Sequence, residues 1–229
     1  HDYISGRLER ALFFTNAAEL DGTTDFSRAV EEWSVFDQQS KNDLYGSLLG
    51  GLLVRVGLIT GDMRRAEEFY ARFPLPFTVY IQGDRDATLE LCSELRHDET
   101  LLGQIWTQSV LYTCGQDQRE SALKYFEDLK ATGEYPPWIK LPLKLFLGEI
   151  QPEDVPRLDS HVHRAWAMSV TGNYLVNDGR DAEAIDYFNE TIKADSFMMD
   201  VHQWAHAFRL RVEKDPGWYQ RMNPAAVKK

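Results

Sequence analysis

Apolar residues recur along this chain at intervals of three and four, the spacing that lines one face of an α-helix. The pattern predicts helices near 5–20, 25–39, 42–60, 62–73, 84–96, 98–114, 118–131, 137–147, 160–177, 180–194 and 197–213. Residues that end or turn a helix stand between them: Asp21-Gly22, Gly61-Asp62, Gly83-Asp84, Cys114-Gly115, Tyr135-Pro136-Pro137, Gln151-Pro152, Asp178-Gly179 and Asp215-Pro216. Period-two alternation is nearly missing. The one short run with a β-like composition is FTVYI, Phe77 to Ile81, and it has no evident partner strand. Helices of this length joined by short turns lie antiparallel to their neighbours, so the expected fold class is all-α.

Several predicted hairpins share an internal spacing. Around Ala184, Gly179 lies five residues before and Phe188 four after, with Gly172 twelve before. Gly61, Ala66 and Tyr70 repeat the glycine, small and aromatic steps; Ala122 with Phe126 and Ala29 with Trp33 repeat the last one. Gly83, Thr88 and Cys92 are a weaker echo. A small residue on the second helix of a hairpin lets the first helix approach closely. The aromatic one turn later fills the gap to the next hairpin, and glycine at the turn supplies a left-handed cap. The place twelve before the anchor holds Ala17 and Gly172 in two copies but Val54 and Val110 in the others.

This pattern resembles the tetratricopeptide repeat, a helix–turn–helix unit of about 34 residues. Phe13 and Trp106 stand at the repeat's early aromatic place relative to Ala29 and Ala122. The resemblance covers about 10–43, 47–80, 103–136 and 165–198, and the whole chain, 1–229, then reads as one helical-repeat domain. It implies a right-handed α-solenoid. The segment LFLGEIQPEDV, Leu145 to Val155, followed by a final hairpin and an amphipathic helix, is similar to bacterial tetratricopeptide lipoproteins that scaffold cell-wall hydrolases. That closing helix, 197–214, reads as a cap. Phe197, Val201, Trp204, Phe208 and Val212 share one face, and Asp200, Gln203, Arg211 and Lys214 the opposite one.

Composition narrows the function. With 229 residues and 43% hydrophobic content, the chain is expected to fold. Its longest apolar run, LLGGLLVRVGLI, is interrupted by Arg55 and falls short of the roughly 18–20 residues that span a bilayer. The first residue is His1 rather than Met, which reads as a processed or truncated chain, cytoplasmic or periplasmic. A net charge of −11 and no basic run beyond Lys228-Lys229 argue against nucleic acid as a partner. Cys92 and Cys114 belong to no CxxC pair and read as small buried residues.

Candidate chemistry is sparse. His161 and His163 form an HxH, and His202 and His206 stand four apart on a helix, a spacing that can share one metal ion. There is no HExxH, no GxSxG and no glycine-rich phosphate loop. Carboxylate pairs such as Glu31-Glu32 and Glu67-Glu68 suit a solvated helix face. In YPPWIKLP, Pro136 and Pro137 read as the stop of one helix and the start of the next. No cofactor is implied.

The repeat resemblance instead implies a concave wall built from first helices. Projected onto it are Arg55, Gln104, Thr107, Gln108, Trp166, Ser169, Asn173 and Asn177. Asn173 matches the groove asparagine with which many such repeats hold a peptide backbone or carboxylate. The basic clamp of the carboxylate-binding kind is missing, since Arg55 is the one clear cation. The expected function is a non-enzymatic scaffold or adaptor holding a protein or peptide. Two alternatives stand beside it: a metal-binding protein or helical enzyme using the four histidines, and a permanent subunit of a larger assembly or homo-oligomer.

Overall fold

The computed structural model describes residues 10–16, 26, 28–29, 31–32, 46–71, 76–95, 101–135, 139–157, 161–194 and 200–223. Among these the secondary structure is helical throughout, with no strand. Helix α1 covers 10–16, and short helical stretches at 28–29 and 31–32 form α2. There follow α3 (Gly46–Thr60), α4 (Arg64–Tyr70), α5 (Pro76–Gln82), α6 (Arg85–Leu95), α7 (Leu101–Leu111), α8 (Gln116–Thr132) and α9 (Lys140–Phe146). A 3-10 turn (Pro152–Arg157) leads to α10 (His161–Asn177), α11 (Asp181–Lys193), α12 (Asp200–Lys214) and α13 (Tyr219–Met222). None of the described helices is long and apolar enough to cross a membrane.

The turn between α10 and α11 shows how sequence sets local structure. Gly179 takes φ +74°, a left-handed conformation that a Cβ would strain. The Arg180 N–H donates to the Leu175 carbonyl at 2.9 Å and Gly179 N–H to Val176 at 3.0 Å, the paired bonds of a Schellman cap. Helix α11 then starts at once with Asp181 and Glu183 in its first turn, where carboxylates meet the positive end of the helix dipole. Its apolar stripe, Ala184, Phe188 and Thr191, is buried against α10. The approach is close because Gly172 has no side chain: a Cβ there would lie 2.5 Å from Cε1 of Phe188.

The small-then-large step is inward at Ala122/Phe126, Ala184/Phe188 and Thr88/Cys92, all 0% exposed. At Ala66 it shifts by one. Phe69, three residues on, is buried, and Tyr70 is only half-buried. The short α4 ends at Tyr70, so the residue nearer its middle faces the core. Ala17 and Trp33 lie outside the described residues.

Two elements differ from expectation. FTVYI is helix α5, opened by Pro76 at the first helical position, where a missing N–H costs nothing. Thr78, Val79, Tyr80 and Ile81 are all buried, so tertiary packing on α6, α7, α3 and α12 overrides the β propensity of these residues. Phe77 of this helix lies 5.5 Å from the ring of Trp106 on α7 and 5.4 and 5.7 Å from Trp204 and Phe208 on α12. It joins parts of the chain far apart in sequence into one core.

Helix α12 is the second difference. Val201, Trp204, Phe208 and Val212 are buried as their spacing implies, while Phe197 lies outside the described residues. The face assigned to solvent is not free. Gln203 is 0% exposed, because α12 is held between α11 on one side and the sequence-distant α3 on the other. Gly51 of α3 permits that contact: a Cβ there would meet Gln203 and the Trp204 backbone at 3.1–3.2 Å. At its far end, Lys214 donates to the carbonyls of Leu58 and Ile59 in the last turn of α3. Arg211 donates to the Gln82 carbonyl at the end of α5 and pairs with Asp215 at 3.0 Å. Cations therefore close the negative ends of two other helices.

Candidate functional site

The residues projected onto a common wall separate into two groups. Trp166 and Asn173, seven apart on α10, line a cleft between α5, α7, α9 and α10. The rest do not line it. Arg55 is 1% exposed and donates to Asn16 Oδ1 and Gln203 Oε1, both at 3.0 Å, where α1, α3 and α12 meet. It is an interior cation rather than a groove cation: α12 covers the side of α3 that the projection left open. Thr107, Ser169 and Asn177 are likewise buried. Gln104 is half-buried and accepts a hydrogen bond from the Tyr125 hydroxyl at 3.1 Å; Gln108 is half-buried beside it.

Aromatic rings form the cleft. Trp106 stands between Phe77 and Trp166, with centroid distances of 5.5 Å to each. Tyr174 contributes from the next turn of α10, stacked at 6.1 Å on Tyr112. Tyr80 is braced from behind by Trp218 at 4.9 Å, edge to face. Burial pushes the Tyr80 hydroxyl well above the usual phenol range, so it stays protonated. Aliphatic side chains, among them Val110, Ile139 and Val170, fill the intervals. The room left amounts to about 30 Å³. No charged side chain lines it.

Three polar groups on the cleft have no hydrogen-bond partner among the described residues: the Trp106 indole N–H and the Tyr80 hydroxyl, both buried, and the more exposed, half-buried Asn173 carboxamide. A carboxamide offers one acceptor oxygen and two donor hydrogens, the complement of a peptide unit. Ser109, also on the cleft, is already committed to the Ile105 carbonyl at 2.8 Å.

The sequence pattern left out Phe77 and Tyr80 because the β-like composition of their segment kept it between the predicted helices. Their i, i+3 spacing after Pro76 is the helical signal that would have placed them together. Tyr174 and Trp218 were missed for a different reason: their partners are far away in sequence.

The histidines are placed as follows. His202 and His206 are both buried on α12, with ring centroids 4.9 Å apart. Burial, and then the charge of Arg55, drives the His206 imidazolium pKa far below its usual value, so the ring is neutral. A metal cation on these rings would sit beside that buried guanidinium. His161 and His163 fall in the first turn of α10, and their side chains lie outside the described residues. Among the described residues no group of three metal-capable side chains is gathered. Cys92 and Cys114 are buried and not bridged, and burial pushes the Cys114 thiol up to about 12. Cys114 is therefore not an activated thiolate. Compared with models of known protein families, with characterised proteins and with solved structures, the chain matches none.

Proposed function

We propose that the chain is a partner-binding helical module of tetratricopeptide-like hairpins, and that the aromatic cleft is where the partner docks. The observation that carries this reading is an apolar, uncharged cleft bordered by an uncommitted carboxamide, that of Asn173. An extended peptide would insert one apolar side chain between Trp106 and Trp166 and exchange hydrogen bonds with Asn173 through its backbone. The Gly172–Phe188 contact and the Schellman turn at Gly179 support the hairpin part of the reading. The small volume also favours a side chain over a free organic ligand, whose pockets usually measure about 300–1,000 Å³.

Selection from a random-peptide display library tests it. Peptides are selected on the wild-type protein, and the enriched motifs are then measured on Val170→Trp, which fills the cleft. A shared motif that binds wild type and weakens at least about tenfold on Asn173→Ala is the expected result, the scale of one lost polar contact to a desolvated partner. Motifs indifferent to both substitutions refute the cleft as the docking place.

A further inference from the structure

We infer that the contact between α3 and α12 is an acid-operated latch: a proton entering the imidazole layer between them releases α3 and leaves α12 on the α10–α11 hairpin. The inference is independent of the docking cleft. Its basis is a buried polar layer. Arg55 of α3 and Gln203, His202 and His206 of α12 are all at most 8% exposed. Arg55 joins α1 and α12 through its bonds to Asn16 and Gln203. The two imidazoles stand one turn apart on α12, with centroids 4.9 Å from each other.

The groups that act electrostatically on His206 are Arg55 from α3 and, along α12 itself, His202 and Arg209. Each is positive or becomes so in acid. The other neighbours of α12 differ in what they present. Helix α5 has Tyr80 as its one titratable side chain. Helix α11 offers the neutral Asn189, which accepts a bond from Arg209 at 3.4 Å, while its Glu183, Asp186 and Glu190 are exposed. Arg10 of α1 is paired with Glu32, and Glu213 stands 3.7 Å from Arg209. The charged side chains of α10, His161, His163 and Arg164, lie outside the described residues. A proton on His206 therefore adds a second charge beside a buried guanidinium, where a low dielectric strengthens the repulsion.

Water relieves that repulsion, and the two sides of α12 admit it unequally. On one side Phe208 stacks on Phe188 at 5.9 Å and on Trp218 at 6.4 Å, and Trp204 lies 5.4 Å from Phe77. Opening there dismantles the aromatic core. On the α3 side, opening breaks the Arg55 bonds and those of Lys214 to the Leu58 and Ile59 carbonyls, and water replaces them. Leu49 and Leu52 of α3 are buried as well, and the cost of exposing them keeps the latch closed at neutral pH. Once open, His206 is solvated and titrates near its ordinary value of about 6.5. The opening equilibrium therefore rises at least about 50-fold between pH 6.5 and 4.5.

Hydrogen exchange read by mass spectrometry tests the latch at those two pH values, with and without low urea and corrected for intrinsic exchange rates. Amides of α3 are expected to be less protected than those of α10 and α11, with a weaker urea dependence. That is the signature of an opening smaller than global unfolding. In wild type, α3 protection should fall at least about 50-fold from pH 6.5 to 4.5. In the double variant His202→Gln/His206→Gln it should stay within about threefold, since neither position then titrates. His206→Gln alone is the second variant should the double change fail to fold, and it should shrink the fall at least about tenfold. The regional comparison needs no variant. Equal protection and equal urea dependence of α3 and α10–α11 would mean that the molecule opens only as a whole, and would overturn the latch. So would wild-type α3 protection that ignores pH, or a fall of the same size in the substituted proteins.

Discussion

Replacing Gly172 with alanine sets two known effects against each other. Glycine inside a helix costs about 1 kcal/mol relative to alanine, so on propensity alone the change should stabilise α10. The structure opposes it. The new Cβ would stand 2.5 Å from Phe188 Cε1 and 2.8 Å from Cδ1 and Cζ, where carbon atoms rest at about 3.5–4.0 Å. The ring must therefore move by about 1 Å, given that contact distance. It is 0% exposed and stacked on Phe208 at 5.9 Å, and Phe208 is in turn stacked on Trp218 at 6.4 Å. Overpacking of this kind costs about 1–3 kcal/mol. The net single-variant effect is thus about 0–2 kcal/mol of destabilisation by the two terms together. A double-mutant cycle separates the terms. In a Phe188→Ala background the ring atoms that clash are gone, and Gly172→Ala should stabilise by its propensity gain. Urea unfolding of the four proteins should show a coupling of about 1–3 kcal/mol at unchanged m. Coupling below about 0.5 kcal/mol, the level at which distant sites already add, would mean the glycine does not serve the α10–α11 approach.

Two further predictions concern buried titratable groups. The folded-state pKa of His206 is depressed, so the unfolded chain binds a proton the native ring refuses. Its contribution is complete above the unfolded value near 6.5 and is lost as pH falls below it, by about 1.4 kcal/mol per pH unit. Between about pH 6.5 and 4.5 wild type should lose about 2.3 kcal/mol more stability than His206→Gln; parallel urea-derived profiles for the two proteins would refute this. Cys114 and Cys92 should resist iodoacetamide at neutral pH in the folded protein and react on unfolding, since both are buried and Cys114 is held as a thiol. Mass spectrometry of native samples showing rapid alkylation at Cys114 would contradict that burial.

What could be read from sequence follows from the range over which each signal acts. The i, i+4 pair Ala184 and Phe188, and the turn at Gly179, are local patterns whose physics is contained in one hairpin, and each is found where spacing placed it. The same spacing erred by one at Tyr70, because it cannot sense that α4 stops there. Burial from several directions erases periodicity altogether. Thr78, Val79, Tyr80 and Ile81 are successive residues with no exposed face, so the helix is marked only by Pro76 before them and by the i, i+3 pair Phe77 and Tyr80.

Polarity misled in the same way on α12. Asp200, Gln203, Arg211 and Lys214 look like a solvent face only if nothing lies beyond them. The missing element is α3, about 150 residues earlier in the chain by the separation of Arg55 from Gln203, with a cation that bonds Gln203 and a glycine that admits its helix. Arg55 was therefore assigned to a groove for the reason that makes it structural: it is a lone charge in an apolar helix, and a neighbour distant in sequence supplies its hydrogen-bond acceptors. Trp166 and Asn173 differ from Arg55 in lining a cleft with residues of α5, α7 and α9. A face that remains open after every distant helix has docked cannot be identified from any single helix. Its polar residue is then informative: the Asn173 carboxamide, unlike Gln203, has found no partner among the described residues, and a partner outside the chain can still engage it.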